Sequence, residues 1–384
     1  MKTPGIHIAG IGVYLPEIMK AEDAVEAGLY SQEDYEWFGW TGAAVAGDIS
    51  APDMAVHAAR QAIGRSGRPD DIDLHIHAHS WPQGPLGWSP HAYVLKHATN
   101  RDVPSFLTWQ ACAGLVGGVE LAASYLLASP DRSGALLTGA DNSGRPDFNR
   151  WEFGLQNGVI GDAASAVVLS RRGGFARLLS VNSGSTSELE QLYRGNEPIY
   201  SPTSAGGQRV DFRERLGAFE DDLDDTVAQV VSRQGELRAE LALRSMAEAG
   251  IGPEDVTRVA HVFTGLESYL KTILDPMGVS ADKGLLEYGR RFGHLTVNDQ
   301  IVALHHLVES GTVGPGDHVL VVAHGGGTAI TCAVVRIDER PAWAQNPRTV
   351  DTPSARPAAT TPTAPGVARS VRLRPDQLDE DGGR

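Results

Sequence analysis

Cysteine is nearly absent from this sequence: Cys112 and Cys332 are the only two in 384 residues. Two thiols cannot supply a disulfide framework or a cysteine metal site, so each must be explained alone. Long apolar runs are missing too, and no stretch approaches the roughly 18 uninterrupted apolar residues of a membrane helix. The opening MKTPGIHIAGIGVYLP lacks the apolar core and small-residue cleavage site of a signal peptide. It reads as a strand entering a Gly/Pro turn, and a cytoplasmic location is expected. Basic residues are in deficit, 33 Lys and Arg against 48 Asp and Glu, for a net charge of −15. That balance disfavours nucleic acid and anionic membrane surfaces as partners. Gly139, Gly144 and Gly154 do not form a phosphate fingerprint between a strand and a helix, so no nucleotide cofactor is expected.

What is present fits a globular protein with a sizeable core: 41% hydrophobic residues, 21% charged residues and 44 glycines for tight turns. From Pro341 the sequence becomes rich in Pro, Ala and Thr with little to bury, which predicts a disordered tail over 341–384. The acidic run from Glu220 to Asp225 opens a long helical pattern, where negative charge suits the helix dipole.

An internal repeat organises the rest. The segment AVHAARQAIGRSGRPDDIDLHIHAHS reads as helix, Gly, Pro-acid-acid turn and apolar strand, and so does ELALRSMAEAGIGPEDVTRVAHVFTG. Aligning Pro69 with Pro253 places Ile72 on Val256 and His77 on His261. Each copy is followed by a second helix and buried strand. The expectation is an α/β protein of two pseudo-symmetric halves, 1–172 and 173–340, each a sheet flanked by helices. Cys112 and the Asn298-Asp299 pair then occupy corresponding helix starts, facing each other near the pseudo-twofold axis.

Cys112 ends an apolar run and begins a helix, where unpaired N–H groups and the dipole stabilise a thiolate. A small buried core cysteine is the alternative. Cys332, inside the last strand, reads as core. His75, His77 and His79 share one strand face, but no Cys or carboxylate completes a ligand set, so no metal is expected.

The ACAG stretch before a long helix is similar to the nucleophile motif of ketoacyl-ACP synthase III. Ile160-Gly161-Asp162-Ala163-Ala164-Ser165-Ala166 resembles that family's glycine-aspartate turn. The opening IAGIGVYLP, Trp40-Thr41-Gly42, the PDDIDL turn and the closing Val322-Ala323-His324-Gly325-Gly326-Gly327 follow in family order. The resemblance spans Gly5 to Asp338. It implies a five-layered αβαβα thiolase fold, a homodimer, and acyl thioesters on phosphopantetheine, carried by CoA or acyl carrier protein, as substrates rather than cofactors. An acidic carrier would dock on a local basic patch, for which Lys283, Arg290 and Arg291 are candidates beside the plainer reading of a solvated face.

The resemblance makes Cys112 the acyl-accepting nucleophile and His261 the family histidine. Where the family has Asn after an aromatic-Gly pair, this chain has His294 after Phe292-Gly293. That departure weakens decarboxylative condensation, which uses His and Asn donors to stabilise an enolate. Asp299 instead suggests a nucleophile–base–orienter set of Cys112, His261 and Asp299, as in the branch that transfers acyl groups to oxygen or nitrogen in natural-product (secondary-metabolite, including antibiotic) assembly. A helix N-cap is the other reading of Asp299. His294 is placed either as a catalytic donor or in the acceptor pocket. Backbone N–H groups of Cys112 and the Gly325-Gly326-Gly327 loop are candidates for the oxyanion hole. Trp37 matches the family tryptophan at the tunnel mouth, but Gly39-Trp40 stands where an Arg should follow, which favours a protein-carried donor. Phe292 and the 186–230 stretch are expected to border a small-molecule acceptor. Two rival functions remain: a malonyl-dependent condensing enzyme, and an inert thiolase-fold partner protein.

Overall fold

Near-continuous apolar runs form most of the strands, the pattern of sheets covered on both faces. The computed structural model describes residues 1–85, 87–153, 158–195, 215, 227–326 and 328–345. The strands are β1 (His7–Tyr14), a small ribbon of β2 (Ile18–Lys20) and β3 (Gly42–Ala44), then β4 (Ile72–Ala78), β5 (Ser105–Thr108), β6 (Gly134–Asp141) and β7 (Ala163–Ser170). The second half supplies β8 (Ala176–Ser185), β9 (Val256–Ala260), β10 (His318–Gly325) and β11 (Ala329–Ile337). Their order is β5-β4-β6-β7-β1-β8-β11-β10-β9.

This order contains the same unit twice. β4-β6-β7-β1 and β9-β10-β11-β8 agree strand for strand, each with one parallel pair followed by two antiparallel pairs. Among the described residues, β1 and β8 join the two sets through the pairs His7↔Arg177 and Ile8↔Ala176. The junction between halves falls between Ser170 and Ala176. Each copy also begins alike: a 3-10 turn opened by proline, Pro69–Asp71 or Pro253–Asp255, leads directly into a buried strand residue, Ile72 or Val256.

Helices complete five layers. Ala51–Ser66 covers β1, β6 and β7 from outside, and Val227–Ala249 covers β8 and β11. Between the sheets lie Gly114–Leu127 and Asp299–Glu309, each packed on strands of both halves. Three apolar clusters fill the gaps, one between the sheets and one beneath each outer helix. This is the thiolase fold. No helix among the described residues is long and apolar enough to cross a membrane.

The three histidines of β4 are held by hydrogen bonds. His75 contacts Ser105 Oγ and Thr138 Oγ1, His77 contacts Thr138 Oγ1 and Gln83 Oε1, and His79 contacts the Trp81 carbonyl, all at 2.8–2.9 Å. Of the tail expected over 341–384, Ala342–Gln345 instead form a short helix with Ala344 buried and Trp343 packed on Phe175 and His305. The remainder from 346, the acidic run at 220–225, Gly154, Gly327 and residues 196–214 and 216–226 lie outside the described residues.

Candidate active site

Both inner helices start the same way. A 3-10 turn, Ala111–Ala113 or Thr296–Asn298, precedes each, and its first residue has positive φ, 45° at Ala111 and 54° at Thr296. A non-glycine residue there costs about 1–3 kcal/mol and is retained only where the surroundings fix it. The Thr296 hydroxyl donates to Asp141 Oδ2 at 2.5 Å, which anchors the second turn. The turns meet at the centre of the molecule. Cys112 lies in the first, and Asp299 is the first helical residue after the second.

His294 joins them. Its Nε2 is 2.9 Å from Cys112 Sγ, and its Nδ1 is 2.5 Å from Asp299 Oδ2. Asp299, fully buried, also accepts from the Leu295 N–H at 2.7 Å and the Phe263 N–H at 2.8 Å. With the carboxylate fixed by two backbone donors, the imidazole presents Nδ1–H to Asp299 and turns Nε2 to the sulfur.

The two glycine motifs hold His294 in place. Its N–H donates to the Val159 carbonyl at 2.8 Å, and its carbonyl accepts from Gly161 at 2.9 Å. A Cβ on Gly161 would overlap the Phe292 carbonyl oxygen, and Gly293 has φ 74°. Asp162 then fastens the turn, accepting from the Ala46 and Ser143 N–H groups and pairing with buried Arg150 at 2.9 Å.

The expected partnership of His261 with Cys112 and Asp299 is therefore corrected. The Leu285 N–H donates to His261 Nε2 at 2.9 Å, and His261 Nδ1 donates to the Val262 carbonyl at 2.7 Å. Both ring nitrogens are committed to backbone, which leaves none free to take a proton. Burial holds its pKa below the ordinary value, outweighing the Val262 carbonyl and the Asp299 charge. His294 differs in sign. Burial alone would lower its pKa, but the Cys112 and Asp299 charges raise it well above the ordinary value. The arrangement favours an imidazolium at His294. Cys332, by contrast, is pushed up to about 12 by burial.

Gly325, last in β10, packs against the Cys112 backbone so closely that a Cβ would overlap the Cys112 nitrogen. Gly326 adjoins Ala111 with φ 59°. Trp37 is 69% exposed, whereas Trp40 and Phe292 are buried. The Arg290 guanidinium lies 3.3 Å from the position a Gly39 Cβ would occupy. It donates to the Gly265 carbonyl and pairs with Glu287 at 2.5 Å. The arginine beside Gly39 thus comes from a distant stretch of chain. The sequence reading also missed Tyr269, whose hydroxyl lies 3.0 Å from His324 Nε2. Its position one helix beyond His261 was the available signal.

Comparison with known proteins agrees with this fold. Residues 246–337 match the 3-oxoacyl-[acyl-carrier-protein] synthase III C-terminal family. The solved structure of ChlB3, described as an acyltransferase, is 41% identical, covers 88% of this chain and all of that one, and superposes with a TM-score of 0.83. The chain belongs to the ketoacyl-ACP synthase III-like proteins. β-Ketoacyl-[acyl-carrier-protein] synthase III of Aquifex aeolicus is 23% identical over 86% of this chain and 99% of the relative. The priming β-ketosynthase of the R1128 polyketide pathway, 17% identical, shares the fold with a TM-score of 0.70, covering 88% of this chain and 97% of that one. Membership makes the chain an enzyme of the acyl-transferring or condensing kind.

Two outcomes follow for the site. Iodoacetamide should label Cys112 and spare Cys332. His294→Ala should slow labelling about tenfold or more at pH 6.5, where a lone thiol of ordinary pKa near 8.5 is about 1% ionised. His261→Ala should leave the rate within a few-fold while lowering the melting temperature. Equal loss in both variants would contradict the assignment. Gly161→Ala should destabilise by about 1–3 kcal/mol in denaturant titration, the scale of overpacking, and slow Cys112 labelling by displacing His294.

Proposed function

We propose that this chain is an acyltransferase that takes an acyl group from a phosphopantetheine thioester onto Cys112 and passes it to a hydroxyl or amine acceptor. The observation that carries the reading is His294, bound at Nε2 to the nucleophile and at Nδ1 to Asp299. The Cys112 thiolate attacks the thioester carbonyl. The oxyanion is placed against the Cys112 N–H and the adjoining Gly325 backbone, and its collapse expels the carrier thiolate, which takes the proton from the His294 imidazolium. The acceptor O–H or N–H then gives its proton to His294 Nε2 as its heteroatom attacks the acyl-enzyme. Cys112 leaves as thiolate, and Asp299 stabilises the imidazolium regenerated beside it. No cofactor is required, because the thioester is itself the activated group.

Condensation fits less well. The donors it would need are a histidine Nε2–H and an Asn amide. His261 Nε2 is an acceptor of the Leu285 N–H, and His294 stands at the Asn position. An inert partner role fits less well again, since nucleophile, base and orienter are all in register. The description of ChlB3 as an acyltransferase supports transfer, and the carrier-protein names of the synthase III relatives support an acyl-carrier or CoA donor. We place the reaction in secondary metabolism and in the cytoplasm.

Intact-protein mass after mixing with a panel of acyl thioesters tests this reading. A Cys112-dependent adduct discharged by alcohols or amines is the expected result, with Asp299→Asn slowing discharge about a hundredfold, the lower end of general acid–base contributions. Discharge only by a malonyl carrier thioester, with loss of CO2, would establish condensation instead.

A homodimer through β5 is part of the proposal. This strand ends the sheet, and Phe106, Leu107 and the adjacent Trp109 are 55%, 37% and 65% exposed. An exposed apolar strand edge is a template for pairing with a second copy. Light scattering should give twice the chain mass, and Leu107→Lys with Phe106→Asp should give the monomer. A wild-type monomer would remove the dimer and leave the chemistry unaffected.

A further inference from the structure

A buried cation on an outer helix has no anion beside it among the described residues. Arg238, on the outer helix Val227–Ala249, is only 6% exposed, and no carboxylate pairs with it among the described residues. The single hydrogen bond its guanidinium makes among those residues is from Nη2 to the Thr272 carbonyl, at a long 3.3 Å, and its buried Nε has no partner. Leaving a buried guanidinium in that state costs several kcal/mol, which an arriving anion offsets.

The surroundings connect this cation to the nucleophile. Thr272 lies one turn beyond Tyr269 on the helix Glu267–Leu274, and its hydroxyl donates to the Tyr269 carbonyl at 2.7 Å. The Tyr269 hydroxyl meets His324 Nε2 at 3.0 Å, and His324 Nδ1 is a second buried atom with no partner. His324 directly precedes Gly325, which packs on the Cys112 backbone. Burial raises the Tyr269 pKa, with the Arg238 charge opposing and the Cys112 charge adding. Burial and the Arg238 and His294 charges hold His324 neutral, well below its ordinary pKa.

We infer that Arg238, Tyr269 and His324 form a subsite beside Cys112 for a carboxylate carried by the substrate, on either the acyl group or the acceptor. The guanidinium supplies charge and paired N–H donors, which match a carboxylate in geometry as well as sign. The Tyr269 O–H donates to His324 Nε2, which leaves the unpartnered His324 Nδ1–H to complete the contact. The inference names the substrate class for the acyl-transfer reading above and rests on it, but its first test requires no turnover.

That test follows iodoacetamide labelling of Cys112 in the full chain, with butyrate or its neutral isostere butyramide added. Butyrate should protect the thiol and butyramide should not. Arg238→Gln should weaken protection about tenfold or more, the loss of one charge-assisted contact, and Arg238→Lys should restore part of it. If Arg238→Gln does not fold by circular dichroism, Tyr269→Phe carries the test with a several-fold weakening. Equal protection by both probes, none by either, or butyrate protection unchanged in Arg238→Gln and Tyr269→Phe would overturn the subsite.

Two further arms locate the carboxylate. A preference for succinyl over butyryl thioester in single-turnover acylation places it on the acyl group. A preference for a hydroxy acid over its amide in the discharge step places it on the acceptor. Absence of preference in both arms, with acyl-enzyme formed, would also overturn the inference. Failure to form any acyl-enzyme would count against the acyl-transfer reading alone, because the protection assay stands without it.

Discussion

A carboxylate buried away from water must have its charge answered, and in this protein that requirement orders the whole site. Asp299 has no exposure, and it is satisfied by two backbone N–H groups and the His294 ring. Those bonds decide which His294 nitrogen carries the proton and which faces the sulfur. They also tie three segments to one point: the loop after β9 through Phe263, the stretch between Gly293 and Leu295, and the start of an inner helix. Cys112 reaches that point only because Gly325 admits its backbone and because Ala111 accepts a left-handed conformation. The Cys112 thiol and the His294 ring thus come from opposite halves, and the site exists only where the two inner helix starts converge.

The duplicated architecture explains why so much was legible beforehand. Proline-opened turns, buried strands and helix starts recur in the same order, so Pro69 and Pro253, or Ile72 and Val256, could be paired by inspection. The two 3-10 turns with positive φ show the same kinship inside the site, with Val297 standing where Cys112 stands in the other half. Symmetry of scaffold with asymmetry of side chains is what lets one helix start hold a nucleophile and the other its orienter.

The roles of the two histidines were harder to read. His261 lies where the repeat and the family resemblance both point, but its availability depends on which backbone groups approach its ring. The Leu285 N–H comes from 24 residues away and leaves no mark in the local pattern. His294 looked like a departure from a motif, while in space its Nε2 meets Cys112 and its Nδ1 the Asp299 carboxylate. The placement of Arg290 beside Gly39, and of Tyr269 against His324, likewise depends on tertiary contacts with no fixed spacing. A hydrogen-bond direction, more than a residue type, separates a structural histidine from a base.

The account turns on His294 and not His261 sharing a proton with Cys112. Nitrogen-15 NMR of histidine-labelled protein near neutral pH, with His294→Gln and His261→Gln used for assignment, reads this directly. The expected spectrum shows His294 as an imidazolium that becomes neutral in Cys112→Ala, and His261 as a neutral Nδ1–H tautomer unaffected by that change. A His261 resonance that responds to loss of Cys112, with His294 neutral throughout, would contradict it.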